Sequence, residues 1–269
     1  MHPYVEHGPF EQKFLTGNSY DTPDTRQGLW AGLVPSPLFY ARLLTGPLGW
    51  LCRRAARGQC DDVAWVYASV WVADILENLG CHIHIAGMDA INAMEGPCVF
   101  VANHMSTLET FMLPGIIRPR KAVTFVVKKS LTTMPFFGPV MRSRDPIVVG
   151  RVNPRDDLTT VLQGGLERLR KNISIVVFPQ HTRSRRFDPK QFNSIGVKLA
   201  RKANVPLVPL ALKTDAWGQG KTFKEVGPIR PDLPVHYRFG QPLRVLGTGK
   251  EEHKFVCDFI TACLNRWQW

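Results

Sequence analysis

The segment Cys98-Val-Phe-Val-Ala-Asn-His-Met-Ser-Thr-Leu-Glu-Thr110 decides how the rest of the chain is read. Its first five residues are uniformly apolar, as expected of a strand buried on both faces of a sheet. Asn103 and His104 end that run, and Ser106 to Glu109 has the S-x-x-E pattern of a helix start. A strand that hands over to a helix through a histidine carries an imidazole beyond its carboxyl end, where open α/β sheets bind ligands. Glu109 then falls in the first helical turn. There it can accept the proton on one ring nitrogen and leave the other as a general base, or simply cap the Ser106 amide. A carboxylate has two oxygens, so the two uses are compatible. Taken alone, His104 reads as an ordinary histidine at a strand end.

Outward from this junction the chain alternates. Apolar runs predict strands at 81–86, 98–102, 122–127, 147–149, 173–178, 205–212 and 235–239. Helical spacing links Leu158, Val161, Leu162, Leu166 and Leu169 within 155–171, where Gly164 and Gly165 weaken it. The same spacing links Ile195, Leu199 and Ala203 within 194–203, and Phe255, Phe259, Cys263 and Trp267 within 251–267. The expected fold is an α/β domain over 81–269, with a largely parallel or mixed buried sheet flanked by helices.

The first third is different. Residues 1–28 show no sustained periodicity and predict a flexible or loosely docked arm. Residues 28–52 hold one charge, Arg42, and three prolines, Pro35, Pro37 and Pro47, that break any single span into two short helices. Trp30, Tyr40 and Trp50, followed by Arg53, Arg54 and Arg57, suit a helical pair lying in one leaflet over anionic lipid. A buried hairpin packed on the soluble core is the competing reading. Residues 60–80 form an amphipathic pattern (Val63, Val66, Val70, Ala73, Leu76) that Asp61 can cap and Gly80 can end, widened by Trp65 and Trp71. This helix either packs on the core or continues the membrane face. The expected organisation is therefore an arm (1–28), an apolar, membrane-associating helical segment (29–80) and the α/β domain (81–269).

Composition narrows the function. Hydrophobic residues at 44% and charged residues at 21% exclude a disordered chain. Six cysteines without C-x-x-C or zinc spacing predict free thiols in a reducing compartment, and no secretory signal is evident. With 34 Lys and Arg against 22 Asp and Glu, the chain carries +12 and favours an anionic partner. No helix-turn-helix, zinc finger or RNA-binding sheet signature appears, so nucleic acid is not expected. The basic residues instead cluster at 118–155 and 183–190, around the loops that follow predicted strands. One such loop, Phe178-Pro-Gln-His-Thr-Arg-Ser184, supplies a guanidinium with a hydroxyl on each side, a set suited to phosphate. On residue type alone, His181 rivals His104 as a base.

These segments carry a family resemblance. N-H-M-S-T-L-E (103–109) resembles the N-H-x-S-x-x-D block of the glycerophospholipid acyltransferases, and F-P-Q-H-T-R-S (178–184) their F-P-E-G-T-R-S block. K-K-S-L-x-x-x-P-F-F-G (128–138) followed by I-V-V-G-R (147–151) is similar to the second block, and V-P-L-V-P-L (205–210) to the fourth. The four occur in order over roughly residues 80–215. The resemblance implies His104 as the base that deprotonates the acceptor hydroxyl, with Glu109 in the place of the family's Asp. It implies that Arg183, with Thr182, Ser184, Gln180, Arg151 and Lys128, binds the acceptor and its phosphate. The donor would be a thioester of coenzyme A or acyl carrier protein, with no metal and no other cofactor. The implied reaction is acylation of a lysophospholipid, foremost 1-acyl-sn-glycerol 3-phosphate, at the cytoplasmic face of a membrane. Gln180 stands where the family has an acid, His181 where it has a glycine, which argues against a positive φ there. Alternatives left open are a different lysolipid acceptor and a catalytically impaired relative that binds anionic lipid.

Overall fold

The computed structural model describes residues 14–23 and 34–267. Eight strands are present among them: β1 (Tyr20–Asp21), β2 (Ile83–Ala86), β3 (Val99–Ala102), β4 (Val123–Lys128), β5 (Ile147–Val149), β6 (Ser174–Val177), β7 (Leu207–Lys213) and β8 (Val235–Phe239). They form one mixed sheet in the order β1-β2-β8-β7-β3-β6-β4-β5. The five strands β7, β3, β6, β4 and β5 are mutually parallel, β8 is antiparallel to β7, β2 is parallel to β8, and β1 closes the edge antiparallel to β2. The helices are α1 (Pro35–Thr45), α2 (Pro47–Ala56), α3 (Asp62–Asn78), α4 (Asp89–Asn92), α5 (Leu108–Ile117), α6 (Lys129–Thr132), α7 (Phe137–Arg142), α8 (Pro154–Arg170), α9 (Ile195–Ala203) and α10 (Lys250–Arg266).

The uniform apolarity of β3 follows from its place inside this sheet. Successive side chains of a strand point to opposite faces. Phe100 and Ala102 join the core formed with α3 and α5, while Val99 and Val101 join the one formed with α8, α9 and α10. Both faces are covered, so no position of the strand is free to be polar.

Helix α3 packs on the core. Asp61 Oδ1 accepts from the Ala64 amide at 2.8 Å and starts it as the sequence suggests. Almost every turn of it is then buried, and Trp65 meets Phe125 of β4 edge to face at 5.8 Å. The prolines divide the preceding segment as expected, with the break at Gly46 between α1 and α2. One side of this pair is docked: Phe39, Leu43 and Leu51 are buried, Phe39 lies 4.8 Å from Trp217, and Tyr40 Oη donates to the Gly227 carbonyl at 2.7 Å. Val34 and Leu44 stay more than half exposed. Among the described residues no helix is long and apolar enough to cross a membrane. Trp30 lies outside the described residues.

Most of the expected arm, 1–13 and 24–28, also lies outside them, but 14–23 are firmly docked. Phe14 is fully buried over Gly115, where an added Cβ would come within 2.9 Å of its ring. Tyr20 and Thr22 donate to the buried Glu77 carboxylate at 2.5 and 2.8 Å, and β1 pairs with β2. A single aromatic anchor and two hydroxyls have no periodicity, which is why the sequence does not announce this strand. Phe14→Ala should lower the unfolding free energy by about 3–5 kcal/mol, read as a shift of the urea midpoint without change in m. The short helices α4, α6 and α7 escape periodicity for a simpler reason: one or two turns are too few to repeat.

Candidate active site

Because five neighbouring strands run the same way, their carboxyl ends deliver side chains to one edge of the sheet. His104 follows β3, Lys128 ends β4, Arg151 follows β5, Gln180 to Arg183 follow β6, and Thr214 and Asp215 follow β7. With β3 between β7 and β6, His104 has the Thr214 loop on one side and the Gln180 loop on the other.

His104 and Glu109 meet directly. The imidazole Nδ1–H donates to Glu109 Oε2, since a carboxylate only accepts. The other carboxylate oxygen accepts from the Met105 amide at 2.7 Å, the Ser106 amide at 2.9 Å and Thr214 Oγ1 at 2.6 Å. Ser106 Oγ donates in turn to Thr214 Oγ1 at 2.9 Å and accepts from the Leu108 amide at 3.1 Å. Glu109 therefore both caps the turn and orients the imidazole, one oxygen for each. Its side chain is 0% exposed and that of His104 15%, so the acid is sealed while one edge of the ring stays open. With Nδ1 committed, Nε2 is the nitrogen left to act, and it has no hydrogen-bond partner among the described residues. Phe178 stacks on the ring at 4.3 Å and shields one face from water. Beneath Glu109, burial and then the negative charge of that residue push the Tyr237 hydroxyl well above its ordinary range.

The backbone of His104 is clasped by the β6 loop. Gln180 Oε1 accepts from the His104 amide at 2.6 Å and its Nε2 donates to the His104 carbonyl at 3.4 Å. The Ser184 amide donates to the same carbonyl at 2.9 Å. Asn103 bridges to β7 by exchanging two 2.8 Å bonds with the Leu212 peptide groups. Gln180 thus holds the histidine's main chain.

Arg183 closes the group. One terminal nitrogen donates to Thr107 Oγ1, three positions after His104, and the other to Glu225 Oε1 at 2.7 Å. The guanidinium is thus tied to the turn that carries the imidazole and the acid. The remaining expected residues sit further out. Thr182 is exposed, and Ser184 Oγ is turned into its own loop, donating to the Arg186 carbonyl at 2.7 Å. Arg151 reaches across to the His181 carbonyl, while Lys128 is exposed two strands from β3, about 10 Å away at ordinary strand spacing. His181 is exposed and no carboxylate among the described residues pairs with its ring. It is not among the positive-φ residues, whereas Arg151 is at φ 56°, with the Gly150 and Arg151 amides held on Asp157 Oδ1 at 3.0 and 3.2 Å. Next to Thr214, Asp215 sits in a buried pair with Lys213 at 2.8 Å and meets Arg185 at 3.1 Å. Burial raises that carboxyl, but the two cations outweigh it and hold it below the ordinary range.

The acyltransferase family model matches residues 82–213, from the residue before β2 to the end of β7. That stretch is 132 of the 269 residues, just under half of the chain. A relative in Pseudomonas aeruginosa, a 1-acyl-sn-glycerol-3-phosphate acyltransferase, is 31% identical over 147 residues, covering 55% of this chain and 54% of its own. One of the same name in Saccharomyces cerevisiae is 32% identical over 151 residues, covering 55% and 48%. The chain thus spans about half the length of these relatives. The crystal structure of the 1-acyl-sn-glycerophosphate (LPA) acyltransferase PlsC from Thermotoga maritima superimposes with a TM-score of 0.65 over 87% of this chain and 95% of that one, at 18% identity, and so shares the fold. Thr214 lies one residue past the matched stretch, and Gln219 and Glu225 lie beyond it. Spacing offers no signal for any of them, because Thr214 is 105 positions from Glu109 and only the β7-β3 pairing unites them.

Proposed function

We propose that the chain transfers a fatty acyl group from an acyl thioester, of coenzyme A or acyl carrier protein, to the free hydroxyl of a lysophospholipid. The favoured acceptor is 1-acyl-sn-glycerol 3-phosphate, which would give phosphatidic acid. The observation that carries this reading is the oriented His104–Glu109 pair with Arg183 tied to the same turn through Thr107.

The chemistry follows from that geometry. His104 Nε2 takes the proton of the acceptor hydroxyl as its oxygen attacks the thioester carbonyl, and Glu109 steadies the imidazolium that forms. The tetrahedral species collapses by breaking the carbon–sulfur bond, and the thiolate recovers the proton from Nε2. A thiolate is a good leaving group, so the reading calls for no metal, cofactor or acyl-enzyme. Arg183 would hold the acceptor's phosphate, with Arg151 and Lys128 contributing positive potential from the neighbouring strand ends. The exposed Val34 and Leu44, with Arg42 and Arg53, support seating the α1–α2 pair on an anionic bilayer at its cytoplasmic face, where the substrate resides.

The test is release of free thiol from acyl thioesters by purified protein with a panel of lysolipids, with product lipids identified by mass spectrometry. Failure of turnover with every acceptor would leave a lipid-binding relative and overturn the reading. Arg183→Ala should raise the KM for the phosphate-bearing acceptor by roughly 10- to 100-fold, the range for losing a charged hydrogen bond, and leave that for an uncharged acceptor unaltered.

A further inference from the structure

Both terminal nitrogens of Arg183 are taken, one by Thr107 and the other by the Glu225 carboxylate at 2.7 Å. The guanidinium side chain is 15% exposed and the carboxylate 50%, so the cation is largely covered and the acid is the more solvent-exposed partner. Glu225 lies in the loop closed by the Trp217–Ile229 bridge. That loop is seated by contacts that do not use the carboxylate. The Gly218 amide donates to the Pro228 carbonyl at 2.9 Å, and Trp217 Nε1 donates to the Glu225 carbonyl at 3.0 Å. Gln219 Nε2 donates to the carbonyls of Arg183 and Met105 at 3.2 and 3.4 Å. The loop thus presents one half-exposed carboxylate to the guanidinium.

We propose that Glu225 is a specificity-determining residue whose carboxylate holds the position on Arg183 that the acceptor's phosphate takes. This rests on Arg183 as the phosphate site. An acceptor must then displace a carboxylate to bind. A phosphomonoester, with nearly two charges and three acceptor oxygens, competes well for a guanidinium. A lysolipid with no charged headgroup cannot, and it leaves the ion pair intact. The matched stretch ends before Glu225, which lies in the loop that follows β7.

Equilibrium binding of a short-chain, water-soluble 1-acylglycerol 3-phosphate, measured by calorimetry, tests this without requiring turnover. Glu225→Gln keeps the side-chain shape and removes the charge. Its Kd for the phosphate acceptor should fall roughly three- to fivefold, the range set by a partly exposed ion pair, while that for the uncharged 1-acylglycerol stays constant. The fall should vanish in the Arg183→Ala background, since coupled residues are not additive. A rise in Kd would mean that Glu225 braces Arg183, and an equal fall for both acceptors would mean that it only narrows the entrance. Either result overturns the proposal. If Arg183→Ala weakens phosphate binding and Glu225→Gln does nothing, the role of Glu225 alone fails. If Arg183→Ala also does nothing, the phosphate site itself is elsewhere.

Discussion

His104→Ala is expected to lower kcat/KM for thioester-dependent acylation by about 10³-fold or more, toward the upper end of what a positioned general base contributes. The expectation is large because no second base is placed to substitute. His181 is exposed and, among the described residues, unpaired with a carboxylate, and Glu109 is sealed behind the ring it orients. The fold should survive, since the imidazole touches the core mainly through Phe178 and its backbone bonds to Gln180 and Ser184 remain available. Circular dichroism and the thermal midpoint check this, and turnover retained in a folded variant would remove His104 from the chemistry.

Glu109→Gln should be nearly as damaging, on the order of 10³- to 10⁴-fold in kcat, by the logic of an acid that sets a catalytic imidazole's tautomer. The amide oxygen can replace Oε1 as acceptor for the Met105 and Ser106 amides and Thr214 Oγ1. Its NH₂ group then faces His104 Nδ1 and makes that nitrogen an acceptor. The proton moves to Nε2, which can no longer receive one from the acceptor hydroxyl. The change should fall on kcat and leave the acceptor's KM within a few-fold, because Arg183 is untouched. A matching rise in KM would instead mark Glu109 as part of the binding site. Imidazole ¹⁵N shifts report the tautomer directly and separate this effect from a collapsed turn.

The His104–Glu109 pair was readable in the chain because it is local. His104 and Glu109 are separated by a single strand-to-helix turn, so residue type and spacing alone bring them together. Seven strands were likewise visible as largely apolar runs, most uniformly β3, β6 and β7, whose every position is buried, while β2 and β8 alternate. Arg183 was visible only as a residue type after a strand, and its arrival beside Thr107 depends on β3 and β6 lying next to one another. Gln180 engages its amide with the His104 main chain, a contact that likewise depends on β3 and β6 being neighbours.

Local backbone geometry turns sequence into strands, helices and the turn that pairs an imidazole with a carboxylate, and this much the amino-acid order determined by itself. The order β7-β3-β6, the closing of the Thr214 hydroxyl on Glu109, the docking of Phe14 over Gly115 and the reach of Glu225 to Arg183 were decided by tertiary structure. These contacts join residues far apart in the chain, and they exist because burying both faces of one sheet selects a single arrangement of its strands and loops.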